Sequence, residues 1–168
     1  KRSCASRPLL MTEQTSVPQP LAAALAKSWG YFTEQLEAHL WARLQTVLGD
    51  PTLSADFDRL LATSEFFRDQ FIRHRDWALT ELEAGRLFRC SDLEGESRED
   101  ALSQLVLDNA SEDAVMSALR VFRNRQMLKI VAGELSGRVT LSETFQALTH
   151  LADITIQFSV RWSTAKLS

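Results

Sequence analysis

Few residues of this 168-residue chain have types and spacing suited to chemistry. Asp56-Phe57-Asp58 carries the letters of a metal-binding D-x-D. The pattern around it is helical, however, and side chains at i and i+2 of a helix diverge by about 200°, a poor arrangement for gripping one ion. His74 stands in a dense polar run with Arg68, Asp69, Arg73, Arg75 and Asp76. It lacks the carboxylate and cysteine companions of a catalytic or metal site and reads as a surface residue. Cys4 and Cys90 have no metal-ligand spacing and read as two free thiols, as in a reducing compartment. The six glycines are scattered. Gly95, Gly133 and Gly137 do not open a helix after a strand, so no phosphate cradle is recognisable, and no serine sits in a nucleophile elbow. The expectation is a chain with no catalytic, cofactor-binding or metal-ligating residue of its own.

What remains is basic. Arg120, Arg123, Arg125 and Lys129 fall within ten positions of one helical stretch. Arg120 and Arg123 lie on one flank of that helix, while Arg125 and Lys129, spaced i, i+4, lie on another, so acidic partners could be met on two sides. This is the candidate interaction surface. The same spacing also fits a solvated face with local ion pairs.

The element that must position these cations runs from about Ser111 to Leu135. Val115, Leu119, Phe122, Ile130, Val131 and Leu135 gather on one broad apolar side, with Met116 and Met127 at its edge. Ser111 followed by Glu112 and Asp113 is an N-terminal cap with two carboxylates at the positive end of the dipole. Before it, Leu21 to Leu48 has helical spacing through Leu25, Trp29, Phe32, Leu36, Leu40 and Leu44, with a kink or a fresh start allowed at Gly30. Gly49-Asp50-Pro51 stops that helix. Thr52 or Ser54 is expected to cap a short helix through Leu61, and Ser64 a third that carries Phe67, Phe71, Trp77, Leu79 and Leu82 and ends at Gly85. Ser91 to Asp100 reads as an acidic, glycine-containing loop, followed by a short helix from about Arg98 to Leu107. After Gly137, Thr140 and Glu143 form a capping box for a last helix to about Arg161. That helix is apolar almost all round and is expected to pack between others.

No segment alternates with period 2, so the fold class is all-α: a bundle of about five or six helices with no sheet. Its expected core includes Leu36, Leu40, Leu44, Phe67, Phe71, Leu105, Leu119, Phe122, Ile130, Leu148, Leu151 and Ile156. Residues 1–20 read as a disordered lead, with 1–10 a tag or over-extended start before Met11, residues 21–162 as the helical domain and 163–168 as a polar tail. A hydrophobic fraction of 45% with 24% charged residues is globular rather than disordered. A net charge of −3 and the lack of aromatic residues alternating with a basic groove argue against nucleic acid. No apolar run is long enough to span a bilayer and no signal peptide is evident, which points to a soluble, cytoplasmic protein with no membrane partner.

Three stretches carry a family resemblance. Phe122-Arg123-Asn124-Arg125-Gln126-Met127-Leu128-Lys129-Ile130, followed by Glu134-Leu135, resembles the F-R-x-R-E-M-L-R-I…D-L segment of glutamine synthetase adenylyltransferase, the bifunctional adenylylating and adenylyl-removing enzyme. Ser64 to Trp77 is similar to that family's S-x-F-x…R-H-P segment, and Leu148 to Trp162, with Leu151-Ala152-Asp153, to the helix that follows. The likeness covers roughly residues 60 to 162. It departs at Gln126 for Glu, Lys129 for Arg, Gly133-Glu134 for Arg-Asp and Arg75 for Pro. The resemblance implies an N-terminal helical segment that leads into a nucleotidyltransferase core, with ATP and magnesium bound by that core and glutamine synthetase as the protein acted on. This chain has no G-S-D-x-D turn, so the expectation is a catalytically silent segment whose core lies outside it. The alternative is a free-standing helical interaction module or truncated remnant with no enzymatic role, for which self-association is open.

Overall fold

The computed structural model describes residues 18–89 and 111–167. After a short 3-10 turn at Gln19–Leu21 come seven α-helices among the described residues: α1 Ala22–Gln35, α2 Ala38–Val47, α3 Pro51–Thr63, α4 Glu65–Arg73, α5 Arg75–Glu83, α6 Glu112–Leu135 and α7 Leu141–Leu167. There is no strand among them, and the all-α class expected from the periodicity holds.

Two of the expected helices are each broken in two. The first does not bend at Gly30, which lies inside α1; it breaks at Leu36 and Glu37, whose backbones are extended. The break lets Leu36 and Leu40 both point inwards while Glu37 meets Arg75 at the start of α5, at 2.8 and 3.1 Å. The third breaks at His74, and α5 packs against α2. Periodicity runs through both breaks, which is why the sequence reads as continuous there.

Caps fix the other boundaries. Asp50, not Thr52 or Ser54, caps α3: its carboxylate accepts from the N–H groups of Thr52 and Leu53, with Pro51 at the first helical position, where its missing N–H costs nothing. Ser64 and Ser111 cap α4 and α6 through Phe67 and Ala114, and Thr140 and Glu143 form the reciprocal capping box of α7. α5 and α6 end in the same Schellman turn. Gly85 and Gly137 take φ of 67° and 73°, a region that favours glycine, and the following Arg86 and Arg138 donate back to the carbonyls of Glu81 and Gly133.

Two hydrophobic clusters result. The larger is aromatic at its centre: Phe32, Phe57, Phe67 and Phe71 meet at centroid distances of 5.3–5.8 Å with Trp29 at the edge, and Leu40, Leu44, Leu60, Leu79, Leu82 and Leu87 surround them. Leu128 and Ala132 from α6 complete it. The smaller lies between α6 and α7 and contains Val115, Leu119, Phe122, Ile130, Ala147 and Leu151. α6 therefore belongs to both.

Of the expected core, Leu36, Leu40, Leu44, Phe67, Phe71, Leu119, Phe122, Ile130 and Leu151 are buried and Leu148 is half-buried. Ile156 is a correction: it is 61% exposed. The seam of α7 runs through Thr144, Ala147, Leu151, Ile154, Phe158 and Trp162, which puts Leu141, Phe145, Ile156 and Val160 on the outward side. α7 packs chiefly along α6 rather than between several helices, and it continues to Leu167 rather than ending near Arg161. The expected helix at Arg98–Leu107, its core residue Leu105, the acidic loop, Cys4, Cys90 and residues 1–17 of the lead lie outside the described residues.

Candidate interaction surface

The four cations of α6 meet three different fates along one 24-residue helix. Lys129 is buried: its ammonium lies 3.2 Å from Glu81 of α5, whose other oxygen accepts from Arg86 at 2.6 Å. Burial pushes the Glu81 carboxyl up, but the hydrogen bonds and charges of Arg86 and Lys129 outweigh it and hold the group below the usual carboxylate range. Arg125 is half-buried, its guanidinium 5.2 Å from the centroid of the Trp77 ring, a cation–π geometry. Burial lowers its pKa. Arg120 and Arg123 are exposed on the outward side of α6, near the half-exposed Met116. They make no ion pair with a described residue. The structure thus brings Arg120 and Arg123 together on one face and assigns Lys129 to an internal contact with α5.

A second set of contacts fixes the far end of α6. Arg138, placed by the Gly137 turn, binds Asp56 of α3 at 2.7 and 2.9 Å and lies over the Phe88 ring at 4.7 Å. Arg59 donates to the Ser136 carbonyl. Asp58, the other half of the D-x-D, instead accepts from the Trp29 indole at 2.8 Å. Burial raises its pKa and the Trp29 bond lowers it in part. The two aspartates therefore serve different partners, as their divergence on a helix requires. Among the described residues no group of three or more His, Cys, Asp and Glu is placed to hold a metal ion, and no helix is long and apolar enough to cross a membrane.

His74 is not a plain surface residue. It sits at the α4–α5 break, half-buried, with its Nε2 buried and without a hydrogen-bond partner. Burial, and then the charges of Arg125 and Arg73, lower its pKa. Glu81 and Trp77 were not legible as partners of α6, nor Asp56 as the partner of Arg138, because each contact joins residues far apart in the chain. The i, i+4 spacing of Trp77 and Glu81, which sets both on one face of α5, was the only local signal.

This geometry defines an all-helical bundle in which one long helix is anchored at its C-terminal half and carries exposed cations nearer its N-terminus. Residues 54–168 match the family model for glutamate-ammonia ligase adenylyltransferase, more than half of the chain, and the chain belongs to that family. Among its relatives is the bifunctional glutamine synthetase adenylyltransferase/adenylyl-removing enzyme of Pseudomonas aeruginosa, 36% identical over 107 residues, a match that takes in 64% of this chain and 11% of that enzyme. The chain therefore spans only a small part of the length of that relative. No solved structure matches.

The departures from the family pattern have local physical partners. Arg75 pairs with Glu37 across the α1–α2 break, Lys129 with Glu81, and the carbonyl of the buried Gly133 accepts from both the Arg138 N–H and the Ser136 hydroxyl. For Gln126 the structure offers no account.

Proposed function

We propose that this chain is the non-catalytic N-terminal helical segment of an enzyme that adenylylates and deadenylylates glutamine synthetase in the cytoplasm, with the nucleotidyltransferase core outside it. The observation that carries the reading is the polarity of α6 inside the region matched by the family. Leu128, Lys129 and Ala132 fasten its C-terminal half to the bundle, while Arg120 and Arg123 stay exposed without a carboxylate among the described residues. On this reading the segment buttresses the core and turns those cations towards it or its bound nucleotide. ATP and magnesium belong to the core, and glutamine synthetase is reached through it. The test is to incubate the chain with glutamine synthetase, radiolabelled ATP and magnesium. No label is transferred if the reading holds, and turnover by the chain alone would refute it. A second arm mixes the chain with the nucleotidyltransferase core of the Pseudomonas aeruginosa relative. Binding that weakens on the double change Arg120→Glu and Arg123→Glu supports the assigned face, and binding that ignores it removes the face from the proposal.

A second reading, a free-standing interaction module that pairs with itself, is favoured by the outward stripe Leu141, Phe145, Ile156 and Val160 on α7. Exposed apolar stripes of this kind mark contact surfaces. Light scattering after size exclusion decides it: a monomer at all concentrations leaves the stripe to another partner.

A further inference from the structure

The cations of this bundle obey a rule with one exception. Among the described residues, Arg43, Arg68, Arg75, Arg125 and Lys129 are the Lys or Arg side chains that are not exposed. Arg43 has Glu83, Arg68 has Asp69 and Glu65, Arg75 has Glu37 and Lys129 has Glu81. Arg125 has no carboxylate among the described residues. Its Nε is buried without an acceptor, and its one ring contact is the face of Trp77. A buried N–H left without an acceptor is costly, the more so on a charged group.

The neighbouring groups are unfilled as well. His74, close enough to Arg125 to feel its charge, has a buried Nε2 with no partner, and Gln70, one turn earlier on the same side of α4, has a buried Oε1 with none. A half-turn of that amide would present its NH2 instead. Arg125 on α6 and Arg73 on α4 both press positive charge on the imidazole. Gln70 lies on α4, His74 caps its C-terminus and Arg125 lies on α6, which packs on α4, so three side chains that each hold one buried, unpartnered polar atom come from two neighbouring helices. The missing component is negative and accepts hydrogen bonds.

We propose that Arg125, His74 and Gln70 form a site for one oxoanion, a carboxylate or a phosphate group, seated between α4 and α6 beside Trp77. The guanidinium offers its planar fork, the imidazolium a second donor, and the Gln70 amide a third. The site does not depend on the parent-enzyme reading, since it rests on the chain's own unpaired groups.

The experiment follows the His74 imidazole by long-range proton–nitrogen NMR in the whole chain, with the signal assigned through His74→Gln and with His39 and His150 as internal controls. Inorganic phosphate and, separately, sodium acetate are titrated at constant ionic strength against sodium chloride. An oxoanion in the site moves the His74 titration to higher pH, saturably, with half-saturation on the order of 1–10 mM for a solvent-competed contact. A response to phosphate alone identifies a free phosphate-class ligand, a response to acetate alone a carboxylate side chain from elsewhere, and a response to both the shared chemistry. Arg125→Gln abolishes the shift and Arg120→Gln leaves it. If Arg125→Gln does not fold, Arg125→Lys decides, with affinity lowered about tenfold by loss of the fork. The proposal is overturned if neither anion moves His74 beyond the chloride control, or if the shift survives the change at Arg125.

Discussion

Glu81 and Lys129 should respond very differently to removal, although they are two ends of one contact. Their separation of 3.2 Å corresponds to a Coulomb attraction of about 5 kcal/mol at an effective dielectric constant near 20. Most of that is cancelled by the desolvation both groups undergo. Their side chains are 8% and 12% exposed, so neither recovers its water if the other is lost. Lys129→Met leaves Glu81 still bonded to Arg86 and replaces the lysine stem with a chain of similar volume, so the expected cost is below about 1 kcal/mol. Glu81→Gln keeps the shape but strips the carboxylate from a buried ammonium, and the expected cost is about 3 kcal/mol. Urea denaturation of the two variants and the parent, with slopes compared to confirm the same transition, gives the difference. The sign also sets a pH window. Because the folded Glu81 carboxyl lies below its ordinary value of 4.5, its stabilisation is full above that pH and is lost as pH falls below it. Equal costs for the two changes, or a cost under about 1 kcal/mol for Glu81→Gln, would refute the view that Glu81 is the shared counter-charge of this contact.

Phe122→Ala, which empties the centre of the α6–α7 cluster, should cost about 3–5 kcal/mol in the same denaturation assay. His74 has a folded pKa below its ordinary 6.5, so stability should fall as pH drops below 6.5 and level off once the folded imidazole itself protonates; His74→Gln should flatten that part of the profile. Gly137→Ala meets no steric contact, yet a non-glycine residue at φ 73° should cost about 1 kcal/mol and loosen the turn that aims Arg138 at Asp56, visible as a lowered melting temperature. Ile156→Ser should leave the melting temperature within experimental scatter, because the side chain is already in water.

Local signals are legible in this sequence and long-range ones are not. Ser64, Ser111 and the Thr140–Glu143 box announce their helices because a cap is written within four residues. The apolar face of α6 was legible because Val115, Leu119, Phe122 and Ile130 keep one helical period. The breaks at Leu36–Glu37 and His74 were not, since apolar spacing continues through them and the cause is a pairing between Glu37 and Arg75, 38 positions apart. The exposure of Ile156 is not legible because α7 has two apolar sides and periodicity alone does not say which one meets α6. Residue type and spacing place the candidate cations on one helix, but burial sorts them: Lys129 meets Glu81 at a sequence separation of 48, a contact no local pattern encodes.

The sharing of α6 between two hydrophobic clusters gives the protein an order of disassembly. α7 can peel away by opening the smaller cluster alone, while the aromatic centre of Phe32, Phe57, Phe67 and Phe71 stays closed. The reverse is not available, because unravelling the larger cluster removes the footing of Leu128 and Ala132 and with it the helix on which α7 rests. Backbone amides of α7 should therefore exchange with solvent deuterium soonest among the long helices, those of α3 and α4 last, and α6 should divide near its middle into a fast and a slow half.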